Sequence, residues 1–275
     1  MGLFDGKKGL IFGVANDRSI AWAIAKQIMD EGGECGFTHL PDKPDDHRKK
    51  NRRRVAKCTD DYDLAKFLVP MNVQDDDDIA AVMKTTAETF GKIDFMLHSI
   101  AFASVDDLRN DTIETSRDGF NLAMEVSVFS LLATANAAKE LFNDGASILT
   151  LTYFGGEKIV TGYNVMGICK AALDATMRYL AFDLGPRNIK VNALSAGPVK
   201  TLAASAVGGA KDMEMLYEAI SPLNRNITVE EVGRTGAFLL SAMSSGITAE
   251  IIHVDAGYNA MGSAGRLLEK LRADV

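Results

Sequence analysis

Short apolar runs of strand length alternate along this chain with longer amphipathic stretches of helix length, and few architectures accommodate that rhythm. Residues 9–13 (GLIFG) read as a buried strand, and 19–31 as a helix stopped by Gly32 and Gly33. Further strands fall at 34–39, 67–73, 93–99, 146–152, 189–194 and 250–254, and helices at 79–90, 117–142, 162–184 and near 229–241. Strands separated by helices of this length join through right-handed crossovers, which build a parallel sheet with both faces covered. The expectation is one α/β domain over residues 1–275, a doubly wound parallel sheet of about seven strands with helices on both faces. No repeat, linker or low-complexity tract interrupts it.

Composition narrows the function. With 47% apolar and 24% charged residues, 275 residues suffice for one sizeable core. Acidic residues outnumber basic ones 37 to 30, a net charge of −7 that disfavours a nucleic-acid binder. Cys35, Cys58 and Cys169 are odd in number and unpaired in spacing, so reduced thiols and a cytoplasmic setting are expected. The N-terminus carries no signal-peptide pattern, and no uninterrupted apolar run approaches the length of a membrane span, so no membrane partner is expected. His39 and His47 lack the spacing and companions of a metal site.

Some stretches stand outside the alternation. Residues 47–54 (HRKKNRRR) form a basic run after the second strand. It reads either as a solvated helix face or as an electrostatic seat for a phosphate or an acidic protein. Residues 75–78 (DDDD) suit the positive end of a helix dipole. Residues 197–213, rich in Ala, Gly and Ser, read as a lid or a binding loop, and 264–275 as a charged helical tail.

Ligands of an open α/β sheet bind beyond the carboxyl ends of the strands, where the first strand-to-helix turn lies. Here that turn is GVANDRSIA, residues 13–21. Gly13 allows the sharp turn, Ser19 suits the N-cap, and the amides around Ser19 and Ile20 would face a pyrophosphate. The usual G-x-G-x-x-G is absent. So is an acidic residue at the end of the second strand, where Thr38, His39 and Leu40 stand. Farther on, Tyr163 and Lys170 are seven residues apart, close to two helical turns, which sets both on one helix face. A phenol beside an ammonium is a competent hydrogen-bond donor, and a lysine can hold ribose hydroxyls. Tyr153, ending the fifth strand, lies over the same cleft.

Taken together, GVANDRSIAWAIA, LHSIAFA (97–103), LTYFGGEKIVTGYNVMGICKAAL (151–173), VNALSAGPVKTLAA (191–204) and IIHVDAGYNA (251–260) resemble the enoyl-acyl-carrier-protein reductases. These are a divergent branch of the short-chain dehydrogenase/reductases, with a Rossmann-type fold. The resemblance covers roughly residues 2–262. The spacing Tyr-x6-Lys is specific, because ketoreductases of the wider superfamily carry Tyr-x3-Lys, and Met166 stands at that position here.

The resemblance implies reduction of the 2,3 double bond of trans-2-enoyl thioesters on acyl carrier protein, in fatty-acid elongation. The implied cofactor is NADH, with NADPH left open, and the implied assembly is a homotetramer built on the helices at 117–142 and 162–184. Gly13, Ala15, Ser19 and Ile20 would line the pyrophosphate, and Asn72 with Val73 would flank the adenine. Ser99, Ile100 and Ala101 would pass beneath the nicotinamide ribose, whose hydroxyls Lys170 would bind. Val199, Lys200, Thr201, Leu202 and Ala203 would close over the nicotinamide amide and phosphates. Ala103, Tyr153 and Tyr163 would meet the acyl thioester, with Tyr153, Tyr163 and Lys170 as the catalytic set. Three positions depart from the family pattern: Leu40 where Gln is common, Asn72 where Asp is usual, and Ala101 where Gly is frequent. The alternatives are a carbonyl (3-oxoacyl) reductase of the same superfamily and a non-catalytic nicotinamide-binding regulatory protein.

Overall fold

The computed structural model describes residues 2–199 and 210–268, with the side chains of 210–212 outside that description. Among the described residues seven strands form one sheet: β1 (Lys8–Phe12), β2 (Glu34–His39), β3 (Ala65–Pro70), β4 (Ile93–His98), β5 (Phe142–Thr152), β6 (Lys190–Ala196) and β7 (Ile251–Val254). Their order is β3-β2-β1-β4-β5-β6-β7, and every pairing is parallel. β1 pairs with both β2 and β4, so the winding reverses direction there. The doubly wound sheet read from the sequence is the fold observed.

Alternation along each strand sends side chains to two cores. Leu10 and Phe12 of β1 join Met96, Ile148 and Val191 in one cluster, while Ile11 joins Phe37, Phe95, Leu149 and Leu194 in the other. The first core is covered by α3 (Asp76–Phe90), by the helical run from α5 (Arg117–Met124) to α6 (Ser130–Ala138), and by α7 (Asn164–Leu184). The second is covered by α1 (Ile20–Asp30), α2 (Lys50–Thr59) and α9 (Val229–Leu240). α1 and α9 pack backbone to backbone: a β-carbon on Gly233 would come within 2.8 Å of the Ala23 carbonyl oxygen.

The start of α3 follows the chemistry read from the sequence. Asp75 caps α3 by accepting from the Asp77 and Asp78 amides, and Asp76, Asp77 and Asp78 fill the first turn at the positive dipole end. The basic run divides. Lys49 adopts a left-handed conformation and α2 begins after it, with Arg52, Arg53 and Arg54 exposed while Val55, Ala56 and Cys58 turn inward. The carboxylate of Asp42 accepts from the amides of Asn51 (2.6 Å) and Arg52 (3.3 Å), and Asp46 accepts from those of Arg48 and Lys50. The acidic residues of the β2–α2 loop therefore occupy the anion-seeking start of this helix.

Several boundaries differ from the sequence reading. The helix expected over 117–142 ends at Ala138 and is interrupted by a wide π turn, Glu125–Phe129. By length and composition the run Arg117–Ala138 could cross a bilayer, but 44% of its most apolar window is buried inside this fold. β5 begins four residues early because Phe142, buried in the core, pairs with Ile93 before the ladder shifts register. Two short elements escaped periodicity: α2, whose polar composition hides its apolar stripe, and α4 (Val105–Arg109), a single turn capped by Ser104. Within the expected lid, α8 (Ala210–Ile220) already begins, while 200–209 lie outside the described residues. Of the expected tail only 264–268 are described. Cys35, Cys58 and Cys169 are free and buried.

Candidate active site

At the reversal between β1 and β4, the carboxyl ends of the strands open a crevice, and the turn after β1 enters it. Gly13 has φ +93°, and a β-carbon there would lie 1.9 Å from the Ser99 carbonyl oxygen. Only glycine fits, since both the conformation and the space exclude a side chain. The Ser99 amide donates to the Phe12 carbonyl at 3.2 Å, joining the end of β1 to the segment after β4.

Ser19 takes the N-cap position of α1 (φ −68°, ψ 139°), but its side chain caps nothing in the helix. Instead Ser19 Oγ turns back and accepts from the amides of Ala15 and Asn16, both at 3.0 Å. The N-cap role expected from sequence is thus replaced by a nest-filling one. The first-turn amides of α1, from Ile20 onward, keep no side-chain cap, and no acidic side chain stands in that turn. An uncapped helix start of this kind suits a pyrophosphate.

At the end of β3, Asn72 is committed to its own turn. Its Oδ1 accepts from Gln74 N at 3.2 Å, and its amide donates to Asp78 Oδ2 at 2.8 Å. The Val73 side chain is buried in the core, which leaves backbone for any adenine contact. After β4, Ser99 and Ile100 are half-buried and Ala101 is exposed, whereas Ala103 is buried. Phe102 between them is held at both backbone atoms: its amide donates to Ser127 Oγ at 3.0 Å and its carbonyl accepts from the same hydroxyl at 3.1 Å. Ser127 sits in the π turn, which aims it across to the β4 loop. It escaped the sequence reading because an irregular helical turn has no period to reveal it.

Tyr153 directly follows β5 and Tyr163 occupies the N-cap position of α7, so Tyr163 precedes the helix rather than riding on its face. Their rings meet edge to face, with centroids 4.8 Å apart and planes at 70°. The loop between them is compact because Gly155 lies under the Tyr163 ring, where a β-carbon would come within 2.4 Å of Cδ1. Two turns along α7, Lys170 is buried and its Nζ donates to the Leu151 carbonyl at 2.7 Å. That is its only hydrogen bond among the described residues, so further donor directions of the ammonium remain for a ligand.

Electrostatics assigns states to these groups. Burial, reinforced by Tyr153, Cys169 and Asp174, holds the Tyr163 phenol well above its usual range, so it keeps its proton. Burial likewise raises Tyr153, partly offset by a hydrogen bond from Tyr217. Burial pulls Lys170 down to about 8, against the pull of Asp174 one turn on. Asp174 is itself buried, which raises its carboxyl, while the Thr152 hydroxyl and the Lys170 charge pull it the other way. Beneath Ser99, His98 is buried and neutral, lowered to about 3 by burial and by the Lys170 charge. Ser130 Oγ gives its proton to Val126 O at 2.7 Å, so His98 Nε2 donates to Ser130 (2.8 Å) and Nδ1 accepts from Thr150 (3.2 Å).

The fold thus brings together Gly13, Ala15, Ser19, Ile20, Asn72, Ser99, Ile100, Ala101, Tyr153, Tyr163 and Lys170 along one edge of the sheet. Val199, following β6, is buried at the same edge. Lys200, Thr201, Leu202 and Ala203 lie outside the described residues. Sequence reasoning missed His98, Ser127, Asp174 and Tyr217. The arrangement offers phenol donors for an oxygen that gains negative charge, a buried ammonium, and an open helix start for phosphates.

Comparison with known proteins gives one consistent answer. The family model described as enoyl-(acyl carrier protein) reductase matches residues 13–259. The enoyl-[acyl-carrier-protein] reductase [NADH] of Nostoc sp. is 48% identical over 257 residues, spanning 94% of this chain and 98% of that protein. The crystal structure of the Anaplasma phagocytophilum reductase in complex with NAD superposes with a TM-score of 0.88 at 42% identity, covering 95% of this chain and 97% of that one. The Bacillus cereus enoyl-acyl carrier protein reductase, solved with NADP+ and an indole naphthyridinone, gives a TM-score of 0.89 at 44% identity, covering 96% and 100%.

Proposed function

Because the chain belongs to the enoyl-(acyl carrier protein) reductase family, we propose that Tyr163, Tyr153 and Lys170 carry its reaction, the NADH-dependent saturation of the 2,3 double bond of an enoyl thioester on acyl carrier protein. The observation that carries this assignment is the edge-to-face pair Tyr153–Tyr163 at the carboxyl edge of the sheet, with buried Lys170 two turns along α7 and held by the Leu151 carbonyl of β5.

The residues fit a dinucleotide. Gly13 lets backbone approach where a side chain would collide, and the uncapped start of α1 suits a pyrophosphate. Lys170 would hold the nicotinamide ribose, with Ser99, Ile100 and Ala101 forming the floor that Ser127 fixes through Phe102. When bound, the reduced nicotinamide supplies the hydride chemistry.

What the chain itself contributes is stabilisation of the substrate. Hydride addition at the β-carbon moves negative charge onto the thioester oxygen. Tyr163 retains its proton and donates to that oxygen. Tyr153 walls the same oxygen and orients the Tyr163 ring through the edge contact. The Lys170 charge favours the developing enolate, and the low-polarity surroundings that depress its pKa strengthen that effect. A preorganised donor of this kind typically contributes about 10² to 10³ in rate.

NADH is the cofactor, and use of NADPH remains a proposal with an observation against it. Asp42 fills the start of α2, just past the end of β2, where the 2′-phosphate of NADPH would need positive charge. The exposed run 47–54 serves better as a steering surface for the acidic carrier protein. Exposed apolar side chains along α5, the π turn, α6 and α7, among them Phe120, Phe129, Leu132, Tyr179 and Phe182, support a homotetramer. A cytoplasmic setting belongs to the same proposal. The direct test is loss of NADH absorbance with a trans-2-enoyl thioester, run beside a 3-oxoacyl thioester. Turnover of the oxoacyl substrate alone would transfer the chain to carbonyl reduction.

A further inference from the structure

Helix α8 delivers one side chain to the site that the reaction as described does not use. Tyr217 is 1% exposed, and its hydroxyl donates to the Tyr153 hydroxyl at 3.4 Å. The ring is fixed from behind: Tyr258 stacks on it with centroids 3.7 Å apart and planes 11° from parallel. Tyr258 is in turn set by the turn after β7, where Asp255 accepts from the amides of Gly257 (2.9 Å) and Asn259 (2.8 Å). Gly197, at the end of β6, completes the seat, since a β-carbon there would lie 3.3 Å from Tyr217 Cε1.

The direction of the hydrogen bond matters. A phenol oxygen that accepts a bond becomes a better donor through its own proton. With Tyr217 donating to it, the Tyr153 hydroxyl keeps its own proton for an acceptor other than Tyr217. The Tyr217 hydroxyl, buried with this one hydrogen-bond partner among the described residues, has no competing role. We propose that Tyr217 is a positioning residue, whose hydroxyl holds and polarises the Tyr153 hydroxyl so that Tyr153 donates toward the substrate oxygen. The inference rests on the assignment of Tyr153 to the substrate site. It adds a residue from α8 that the sequence motifs around Tyr153 and Tyr163 do not contain.

The test is a double-mutant cycle with Tyr217→Phe and Tyr153→Phe, reading kcat and KM with a trans-2-enoyl thioester, the NADH dissociation constant and the melting temperature. Tyr217→Phe keeps the stack on Tyr258, so the fold and NADH affinity are expected to stay within about twofold of wild type, while kcat falls roughly fivefold, the equivalent of one neutral hydrogen bond. In the Tyr153→Phe background the same substitution is expected to change kcat by less than about twofold, because nothing remains to be positioned. Equal losses in both backgrounds, or normal kcat in Tyr217→Phe while Tyr153→Phe is impaired, would make Tyr217 core packing only. Normal turnover in Tyr153→Phe itself would instead remove Tyr153 from the site, and Tyr217 with it.

Discussion

A β-carbon on Gly13 would lie 1.9 Å from the Ser99 carbonyl oxygen, which locks the turn after β1 to the segment after β4. The turn proposed to face the pyrophosphate and the segment proposed to pass beneath the nicotinamide ribose are thereby one unit. Gly13→Ala must move one of them and must also bear a side chain at φ +93°. The expected outcome is a loss of stability of about 1–3 kcal/mol and at least a tenfold weaker NADH affinity. Calorimetric titration and thermal melting measure the two effects separately, and unchanged affinity would contradict the joint role.

Lys170 gives a signed pH dependence. Its folded pKa is about 8 against 10.5 for the free side chain, so between those values the unfolded chain binds the extra proton. Stability contributed at this residue therefore rises with pH through that window, and is lowest below pH 8, where the buried ammonium is charged. Lys170→Met removes the titration. Its stability relative to wild type is expected to be most favourable below pH 8 and to decline by on the order of 3 kcal/mol toward pH 10.5. Denaturant unfolding of both proteins across that range checks it; a constant difference contradicts it.

Asp42, at the start of α2 just past β2, is the charge proposed to oppose a 2′-phosphate. Asp42→Asn keeps an acceptor for the Asn51 amide, the shorter of the two bonds, while removing the negative charge and the longer bond from the Arg52 amide. The kcat/KM ratio of NADPH to NADH is expected to rise by roughly tenfold, with NADH values little changed, consistent with about 1–2 kcal/mol of relieved repulsion. An unchanged ratio would place the cofactor choice elsewhere.

Ser127→Ala removes the hydroxyl that serves both backbone groups of Phe102. Two part-buried bonds are lost across 25 residues of chain, so a loss of about 1–3 kcal/mol in stability is expected. NADH affinity should weaken several-fold as the floor after β4 loosens. Ser127→Thr, which keeps the hydroxyl, should recover most of the affinity.

The fold was legible because most strands read as short apolar runs between helical stretches, and the parallel sheet follows from the crossover lengths. Gly13, Tyr163 and Lys170 were legible from local pattern. What periodicity cannot show is the partner of a side chain far away. Ser127 is displaced by a π turn, Asp174 reads as an ordinary helix position, and Tyr217 reaches Tyr153 across 64 residues. Ser19 shows the same limit in reverse: the right residue occupies the N-cap position, yet its hydroxyl turns back to Ala15 and Asn16 because those amides are nearer partners in the turn.

The central claim is the division of labour between Tyr163 and Lys170, and one paired measurement reaches it. Steady-state turnover of a trans-2-enoyl thioester and NADH dissociation constants are determined for Tyr163→Phe and Lys170→Ala. The expected result is a fall in kcat of about 10² for Tyr163→Phe with NADH affinity intact. For Lys170→Ala, weaker NADH binding is expected together with lower turnover. Wild-type kcat in Tyr163→Phe, or unaltered NADH affinity in Lys170→Ala, would contradict the account.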